Sequence, residues 1–376
     1  MKTNKWLIFL LIAGIVVSGA GGYYFGKTRT AAAYEAAYEA EKERQIQINR
    51  SDLIELDRVE DTIYVTGHKS PDSDTVGSSI AYAALLTKLG YEAVPVVLGD
   101  LNNETKYVLK EAGVETPMLL ENAAGCTMAL VDHNDYSQSA EGLEDAFIVS
   151  TIDHHGEGAV TTGNPVIYDA RPIGSTATII WMRYHAYGVE IDPQTAFVMV
   201  GSILSDTHNL KSDAATFADK DALQELSQLA GMSDVDAFYT EMYKQSLSYE
   251  GMTDEEIFFS DYKEYDRGVT KFGIGCINAY DEEAAKDLVE RIKKILPSTK
   301  APTGMDMEFA QISIFHDDIS VTYIVPSDEA AADVIEAAFG DRAVFDGSAY
   351  VLEPGISRKK VLVPAIAEVL DAYPKE

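Results

Sequence analysis

Basic residues are scarce in this sequence. Among 376 residues there are 30 Lys and Arg against 61 Asp and Glu, which gives a formal net charge of −31. Proteins bind nucleic acid chiefly through cations that neutralise backbone phosphates, so this balance argues against nucleic acid as the main partner. Any site for a phosphate-containing ligand must be a local exception to an acidic surface.

Cysteine is nearly absent. Cys126 and Cys276 are the only two, each lies in an apolar, strand-like run, and neither belongs to a CxxC pair. A disulfide framework and a thiolate metal site are therefore not indicated. The hydrophobic fraction of 46% is ample for two packed domains in a chain of 376 residues.

A long run without charge occurs near the amino terminus. The run from Trp6 to Phe25 is long enough for a helix, at ~1.5 Å per residue, to cross the ~30 Å hydrocarbon core of a bilayer. The pattern predicts a signal anchor or transmembrane helix within residues 1–29. The small residues 18–20 leave a cleavable signal peptide as the alternative, whereas the aromatic residues 23–25 favour the anchor.

Basic residues flank this run almost equally, so they orient it weakly. Signal-like segments usually enter with the amino terminus in the cytoplasm, and we therefore expect a membrane-anchored protein with its catalytic portion outside the cytoplasm. The cytoplasmic face, and secretion after cleavage, are the alternatives. Residues 30–58 begin with a stretch rich in Ala, Glu and Lys and are predicted to form a helical stalk.

Apolar strand-like runs alternate with helix-like spacing after the stalk. This alternation predicts an α/β domain with a mostly parallel sheet over residues 59–246. Residues 247–256 are the predicted linker, and residues 257–376 are predicted to form a smaller α+β domain that opens with a strand near 257–264. A helix is predicted near residues 281–295. Polar motifs follow the strands of the first domain, which is where open α/β sheets place their ligands.

Hard metal ligands concentrate in these polar motifs. The candidates are His68, Asp72, Asp74, Asp132, His154 and Asp206, with His155 beside them. Carboxylate oxygens and imidazole nitrogens suit Mn²⁺ or Mg²⁺, and a buried cluster of acids needs cations to offset repulsion and desolvation. Four further histidines are not counted as ligands; of these, His133 is expected to support the site, and the others are His185, His208 and His316.

Fixed cations concentrate in the second predicted domain. Lys263 lies within the predicted strand near residues 257–264, and Arg358, Lys359 and Lys360 stand together in a loop. Such a cluster suits a multiply charged phosphate. Together with the metal ligands, it predicts a metal-dependent enzyme that processes a phosphate compound.

The motifs GHKSPDSD, LGDLNNET, VDHN, IDHH, PIGSTATII, ILSDT and SRKK closely resemble those of the manganese-dependent (family II) inorganic pyrophosphatases of the DHH phosphoesterase superfamily. The resemblance covers about residues 60–375. It implies a DHH domain and a smaller closing domain, with the active site between them. It also leaves a homodimer open.

The resemblance assigns roles to the candidate residues. It implies one Mn²⁺ site made of His68, Asp72 and the bridging Asp132, and a second made of Asp74, Asp132, His154 and Asp206. By the same resemblance, His155 contacts the substrate and donates a proton, and Lys263, Arg358 and Lys359 bind its phosphates. The chain departs from the family at Ser70, at Gly156 and at residues 211–214, where Asp213 replaces a proline.

The leading hypothesis is hydrolysis of inorganic diphosphate to two phosphates, with Mg²⁺ accompanying the substrate. Two bound cations would lower the pKa of a water to about 7 and so supply a hydroxide nucleophile near neutral pH. The alternatives are a DHH-type phosphodiesterase that acts on a small nucleotide, and a catalytically silent metal or phosphate sensor. The glycine-rich second-domain motif of those phosphodiesterases is not found in this sequence.

Overall fold

The computed structural model describes residues 23–316, 319–352 and 356–372. The chain divides into two compact units. The first runs up to Leu101 and continues from Val108 to Ser233; the second comprises Asn102–Tyr107 and the residues from Asp234 onward.

The first unit is built on a parallel sheet of six strands, in the order β3-β2-β1-β4-β5-β6. The strands are β1 (Ile63–Thr66), β2 (Ala93–Val97), β3 (Met118–Leu119), β4 (Thr127–Val131), β5 (Phe147–Asp153) and β6 (Ile167–Ala170). Strand β4 is buried along its whole length, as expected for a strand covered on both faces. Because all strands run the same way, the loops after β1, β4 and β5 lie at one edge of the sheet.

The helices along this part of the chain are α1 (Tyr23–Arg50), α2 (Ser73–Leu89), α3 (Asn103–Ala112, whose residues up to Tyr107 belong to the second unit), α4 (Thr176–Tyr187), α5 (Pro193–Thr207) and α6 (Phe217–Leu229). Side chains of Asp72, Ser175 and Asp192 cap the amino ends of α2, α4 and α5. Helices α2 and α5 approach closely at Gly77, where a Cβ atom would lie 2.1 Å from the Ser202 Oγ atom.

The second unit has a mixed sheet in the order β11-β12-β10-β9-β8-β7, in which only β8 and β9 pair in parallel among the described strands. The strands are β7 (Tyr262–Arg267), β8 (Thr270–Ala279), β9 (Met307–His316), β10 (Ile319–Pro326), β11 (Val344–Phe345) and β12 (Tyr350–Leu352). Its helices are α7 (Val235–Ser246), α8 (Asp254–Phe259), α9 (Glu282–Thr303), α10 (Glu329–Phe339) and α11 (Val363–Ala372), the last preceded by a π-helical turn, Arg358–Leu362. Separate apolar clusters, around Leu288 and around Phe272, form its core.

Two sequence predictions in this unit are wrong in detail. Residues 254–259 form helix α8 rather than the start of a strand, because Thr253 and Glu256 cap its amino end reciprocally. Helix α9 continues past Pro297 and Pro302 to Thr303. Its apolar face continues as well, since Leu296 is fully buried.

The prediction of an amino-terminal transmembrane helix is also wrong on the structural finding. Residues 1–22, which hold most of the predicted segment, lie outside the described residues. The described part of the predicted segment begins at Tyr23, the first residue of helix α1. From Lys27 onward the sequence of this helix contains charged residues, and burying charges in hydrocarbon is costly. Across the described residues, none of the helices combines the length and apolarity needed to span a bilayer. The membrane-anchored, extracytoplasmic location rested on that helix and falls with it.

The end of the predicted stalk packs onto the first unit. The Asn49 side chain donates to the Ala186 carbonyl oxygen at 2.8 Å, and the Arg50 guanidinium donates to the Tyr187 carbonyl oxygen at 2.6 Å. Leu56, in the 3₁₀ helix Ser51–Arg58, is fully buried. The end of helix α1 therefore caps the free carbonyl groups at the carboxyl end of helix α4.

Candidate active site

The predicted metal ligands of the first unit converge at the carboxyl edge of its sheet. His68 follows β1, Asp132 follows β4 and His154 follows β5. Asp74 lies in the first turn of α2, and Asp206 lies in the last turn of α5. Four segments that are distant in sequence, around residues 68–74, 132, 154 and 206, thus bring their polar side chains to one place.

The ligand atoms form two groups that share Asp132. One group is His68, Asp72 and Asp132, and the other is Asp74, Asp132, His154 and Asp206. Within each group all ligand atoms lie within 4.8 Å of one another. A further group of Asp132, His154 and His155 also meets this limit.

Asp132 points one oxygen toward each group. Its Oδ2 atom lies 3.5 Å from the His68 Nε2 atom, and its Oδ1 atom lies 3.3 Å from the His154 Nε2 atom. The Thr75 hydroxyl donates to Oδ2 at 2.7 Å, and the Thr176 hydroxyl donates to Oδ1 at 3.1 Å. The backbone of Asp132 has a φ of 59°, a left-handed conformation that Asp adopts more readily than most residues. The carboxylate is therefore held between the two groups.

Asp74 is fully buried and is held by the amino end of helix α4. Its carboxylate accepts hydrogen bonds from the Thr176 N–H at 2.7 Å, the Ser175 hydroxyl at 2.8 Å and the Ala177 N–H at 3.2 Å. The free N–H groups and the dipole of a helix amino terminus favour a carboxylate at this position.

The imidazole of His154 is oriented as a metal ligand. Its Nδ1 atom lies 3.0 Å from the Ile173 carbonyl oxygen, so Nδ1 donates a hydrogen bond there and Nε2 is the nitrogen that faces the carboxylates. Oxygens of Asp132, Asp206 and Asp74 lie 3.3, 3.3 and 3.9 Å from Nε2. None of the described residues makes a hydrogen bond to this buried atom. An orphaned imidazole nitrogen among hard oxygen donors fits Mn²⁺.

The charges in this cluster perturb one another strongly. Burial and the charge of Asp74 raise the pKa of Asp132 to about 7. Burial, again with the charge of Asp74, raises the pKa of Asp206 well above its ordinary value. Burial alone would lower the pKa of His154, but the carboxylates of Asp132 and Asp74 raise it to about 9. The cluster is an electrostatic well for cations.

His155 stands at the margin of the cluster, with 55% of its side chain exposed. Its Nδ1 atom lies 2.9 Å from the Oδ1 atom of the fully buried Asp153, and this hydrogen bond raises the pKa of His155. Burial alone would raise the pKa of Asp153, but hydrogen bonds with His155 and Asn134 lower it. Asp153 and Asn134 were not among the predicted site residues, although both lie in the quoted motifs.

The structure describes the side chains of three of the four remaining histidines. His185 pairs with Glu225 at 3.0 Å on the surface, and His208 caps the carboxyl end of α5 with a φ of 48°. The side chain of His316 is not described. His133 is buried, and its Nδ1 atom bonds the Val131 carbonyl oxygen at 2.9 Å.

The predicted cations of the second unit lie on two elements. Lys263 is exposed on β7, and Arg358, Lys359 and Lys360 form the first turn of the π-helical segment that leads into α11. The Arg358 guanidinium donates to the Asp261 carbonyl oxygen at 2.6 Å and to the Asp261 Oδ1 atom at 2.7 Å. Cations at a helix amino terminus are repelled by the helix dipole. An anion bound there would be stabilised both by these cations and by the dipole. Asp261 was not among the predicted site residues.

The chain matches two family models and several known proteins over most of its length. The DHH family N-terminal domain matches residues 62–203, and the DHHA2 domain matches residues 240–369. The chain is 36% identical over 311 residues to the manganese-dependent inorganic pyrophosphatase of Methanothrix thermoacetophila, an alignment that covers 81% of this chain and 97% of the relative. It is 34% identical over 311 residues to the manganese-dependent inorganic pyrophosphatase of Methanocaldococcus jannaschii, with the same coverage of 81% and 97%.

A solved structure shows the same similarity. The chain matches a family II inorganic pyrophosphatase of Methanococcus jannaschii with a TM-score of 0.52 and 33% identity, over 82% of this chain and 100% of the other.

Proposed function

We propose, from the premise that this chain belongs to the family of manganese-dependent inorganic pyrophosphatases, that it hydrolyses inorganic diphosphate to two phosphates with two Mn²⁺ ions. The observation that carries the proposal is the placement of Asp132, whose two oxygens face two separate groups of metal-ligating atoms. A carboxylate shared in this way would help to hold both cations.

Residue roles follow from the geometry. His68, Asp72 and Asp132 would hold one Mn²⁺, and Asp74, Asp132, His154 and Asp206 would hold the other. Two cations bound at such a site supply Lewis-acid stabilisation of phosphoryl oxygens and activation of water near neutral pH. Because Asp72, Asp74, Asp132 and Asp206 are all carboxylates, the site carries enough negative charge to retain two divalent cations.

His155 is proposed to protonate the departing phosphate. Asp153 holds the Nδ1 side of its ring at 2.9 Å, which orients the imidazole and leaves the Nε2 atom for proton transfer. Lys263, Arg358 and Lys359 are proposed to bind the phosphate oxygens of a diphosphate that enters with Mg²⁺. The exposure of the two lysines and the position of Arg358 in the first turn of a helix support this role.

Phosphate release by the purified full-length protein tests the proposal. With diphosphate, Mn²⁺ and Mg²⁺, we expect continuous release of phosphate, and we expect the Asp132→Ala variant to release none above background. The Asp145→Ala variant, which removes an exposed carboxylate from the same unit, should match the unmodified protein. A folded, metal-loaded protein without activity on diphosphate would refute the proposal. Activity on a linear dinucleotide instead would favour the phosphodiesterase alternative.

A further inference from the structure

One short segment contacts most ligands of the four-residue metal group. The segment, residues 173–177, is the turn that leads into helix α4. Its Ile173 carbonyl oxygen accepts from His154, and its Ser175 hydroxyl and two N–H groups donate to Asp74. The Thr176 hydroxyl donates to Asp132. Three of the four ligands therefore depend on the position of this segment.

Asp219, in the first turn of helix α6, has a fully buried carboxylate that binds this segment. Its Oδ2 atom accepts from the Gly174 N–H at 2.9 Å, and its Oδ1 atom accepts from the Thr178 hydroxyl at 2.7 Å. The Thr216 N–H and hydroxyl also donate to Oδ2, at 2.7 and 2.6 Å. One carboxylate thus joins the starts of helices α4 and α6.

The contact at Gly174 leaves no room for adjustment. A Cβ atom on Gly174 would lie 2.5 Å from Thr207 Cγ2, next in sequence to the ligand Asp206, and 2.8 Å from Asp219 Oδ2. The segment is therefore packed against the end of α5 as well as against Asp219. A shift of Asp219 would displace the segment, because the two are in close contact.

We propose that Asp219 is a positioning residue for the metal centre, acting through residues 173–177 on Asp74, Asp132 and His154. This inference rests on the proposed function only in taking Mn²⁺ as the cation. Asp219 is not among the metal-ligating groups. Groups that hold metal ligands in place typically account for 10–100-fold in metal affinity, whereas an acid with a purely structural role contributes to folding stability alone.

The test is Mn²⁺ binding to metal-free protein, measured from the electron paramagnetic resonance signal of free Mn²⁺. In Asp219→Asn, the NH₂ group can face only the Thr178 hydroxyl, which must then accept, and the Gly174 and Thr216 N–H groups donate to a neutral oxygen instead of a charged one. The hydrogen bonds that hold the segment are therefore weakened. We expect Mn²⁺ affinity to fall about 10–100-fold. A second readout, the rise in Tm on adding Mn²⁺, should shrink in parallel.

Glu308→Gln is the matched control. Glu308 is a fully buried acid of the second unit that accepts hydrogen bonds from the Tyr262 hydroxyl at 2.7 Å and the Thr303 hydroxyl at 2.8 Å. Its replacement should lower the Tm of the metal-free protein and leave Mn²⁺ affinity unchanged. Equal Mn²⁺ affinity in Asp219→Asn and the unmodified protein, with only a lowered Tm, would overturn the inference.

A milder pair of variants keeps the inference testable if Asp219→Asn does not fold. Thr178→Val removes one donor to Asp219 with little change of shape, and Thr178→Ser restores the hydroxyl. We expect Thr178→Val to weaken Mn²⁺ binding about threefold to tenfold, at or below the lower limit for such groups, and Thr178→Ser to bind as the unmodified protein does. Identical Mn²⁺ affinities of the unmodified protein, Thr178→Val and Thr178→Ser would refute the inference. Because binding is measured without diphosphate, failure of hydrolysis would count against the proposed function alone.

Discussion

The metal-ligand cluster of the first unit and the cation cluster of the second are built in opposite ways. Asp74 and Asp132 are at most 1% exposed, and hydroxyl or N–H groups of neighbouring elements hold their oxygens. Lys263 and Lys359 are exposed. The acidic cluster is therefore preorganised in the fold, whereas the basic cluster keeps two of its three proposed charges on long, solvated side chains.

Physical cost explains the contrast. Gathering carboxylates in a buried place requires hydrogen bonds and cations to offset desolvation and repulsion, so such a cluster must be rigidly supported. Exposed lysines need no such support, because water solvates them until a phosphate arrives. Variants of the acidic cluster should therefore change metal binding, and variants of the basic cluster should change the use of diphosphate alone.

The largest expected effect comes from Asp74→Asn. The amide would place an NH₂ group against the N–H and hydroxyl donors that now surround the carboxylate, and it would remove one charge from the four-residue group. We expect Mn²⁺ affinity and phosphate release to fall by more than the roughly 100-fold that loss of an outer partner costs. Metal analysis and a phosphate-release assay measure the two quantities.

The exposed Asp145 supplies the control for this variant. Asp145→Asn removes the same charge from the same unit and should leave both measurements unchanged. If Asp74→Asn kept both metals and full activity, the buried cluster would not be the preorganised site that the comparison describes.

The convergence of these candidate ligands could be expected from sequence because His68, Asp132 and His154 each follow an apolar run. Parallel strands end at a common edge, so the residues after β1, β4 and β5 had to meet there. The support was not predictable in the same way. Ser175 and Asp219 have the local pattern of ordinary helix caps, and their second partners come from segments 101 and 45 residues away.

The amino-terminal prediction failed for a different reason. The prediction used only the length of an uncharged run of residues. That length contains no information about the structure of the helix that follows. In the described residues, helix α1 is polar and its last turn caps helix α4 through Asn49 and Arg50. Likewise, the capping residues Thr253 and Glu256, rather than the apolar pattern after them, decide that residues 254–259 are helical.

A smaller effect is expected from Lys359→Ala in the basic cluster. Removing one charged donor to a phosphoryl group should lower kcat/KM by up to about 10²-fold, the lower limit for such donors, because the lysine is exposed and flexible. Mn²⁺ affinity should not change, because the charge belongs to the substrate site. Steady-state kinetics with diphosphate and Mn²⁺ titration of the metal-free protein separate the two effects.

Lys271→Ala is the comparison variant, since Lys271 is another exposed lysine on a strand of the second unit. We expect it to leave kcat/KM unchanged. A loss of Mn²⁺ affinity in Lys359→Ala, or equal kinetic effects of the two variants, would erase the distinction between the metal-binding and substrate-binding clusters.

The smallest expected effect concerns Arg358, the one proposed substrate cation that the fold already holds. Its side chain is 11% exposed and pairs with Asp261 at 2.7 Å, whereas the Asp261 side chain is 56% exposed. Because a partly exposed ion pair contributes about 0.2–1 kcal/mol, Asp261→Asn should lower kcat/KM by no more than about fivefold. Asp371→Asn breaks another exposed pair of the same unit, with Arg267 at 2.6 Å, and should have no kinetic effect. If Asp261→Asn also left kcat/KM unchanged, the ion pair with Asp261 would not help Arg358 to bind substrate, and no residue of the basic cluster would be preorganised. A loss of kcat/KM beyond 100-fold would instead mean that Asp261 itself acts on the substrate.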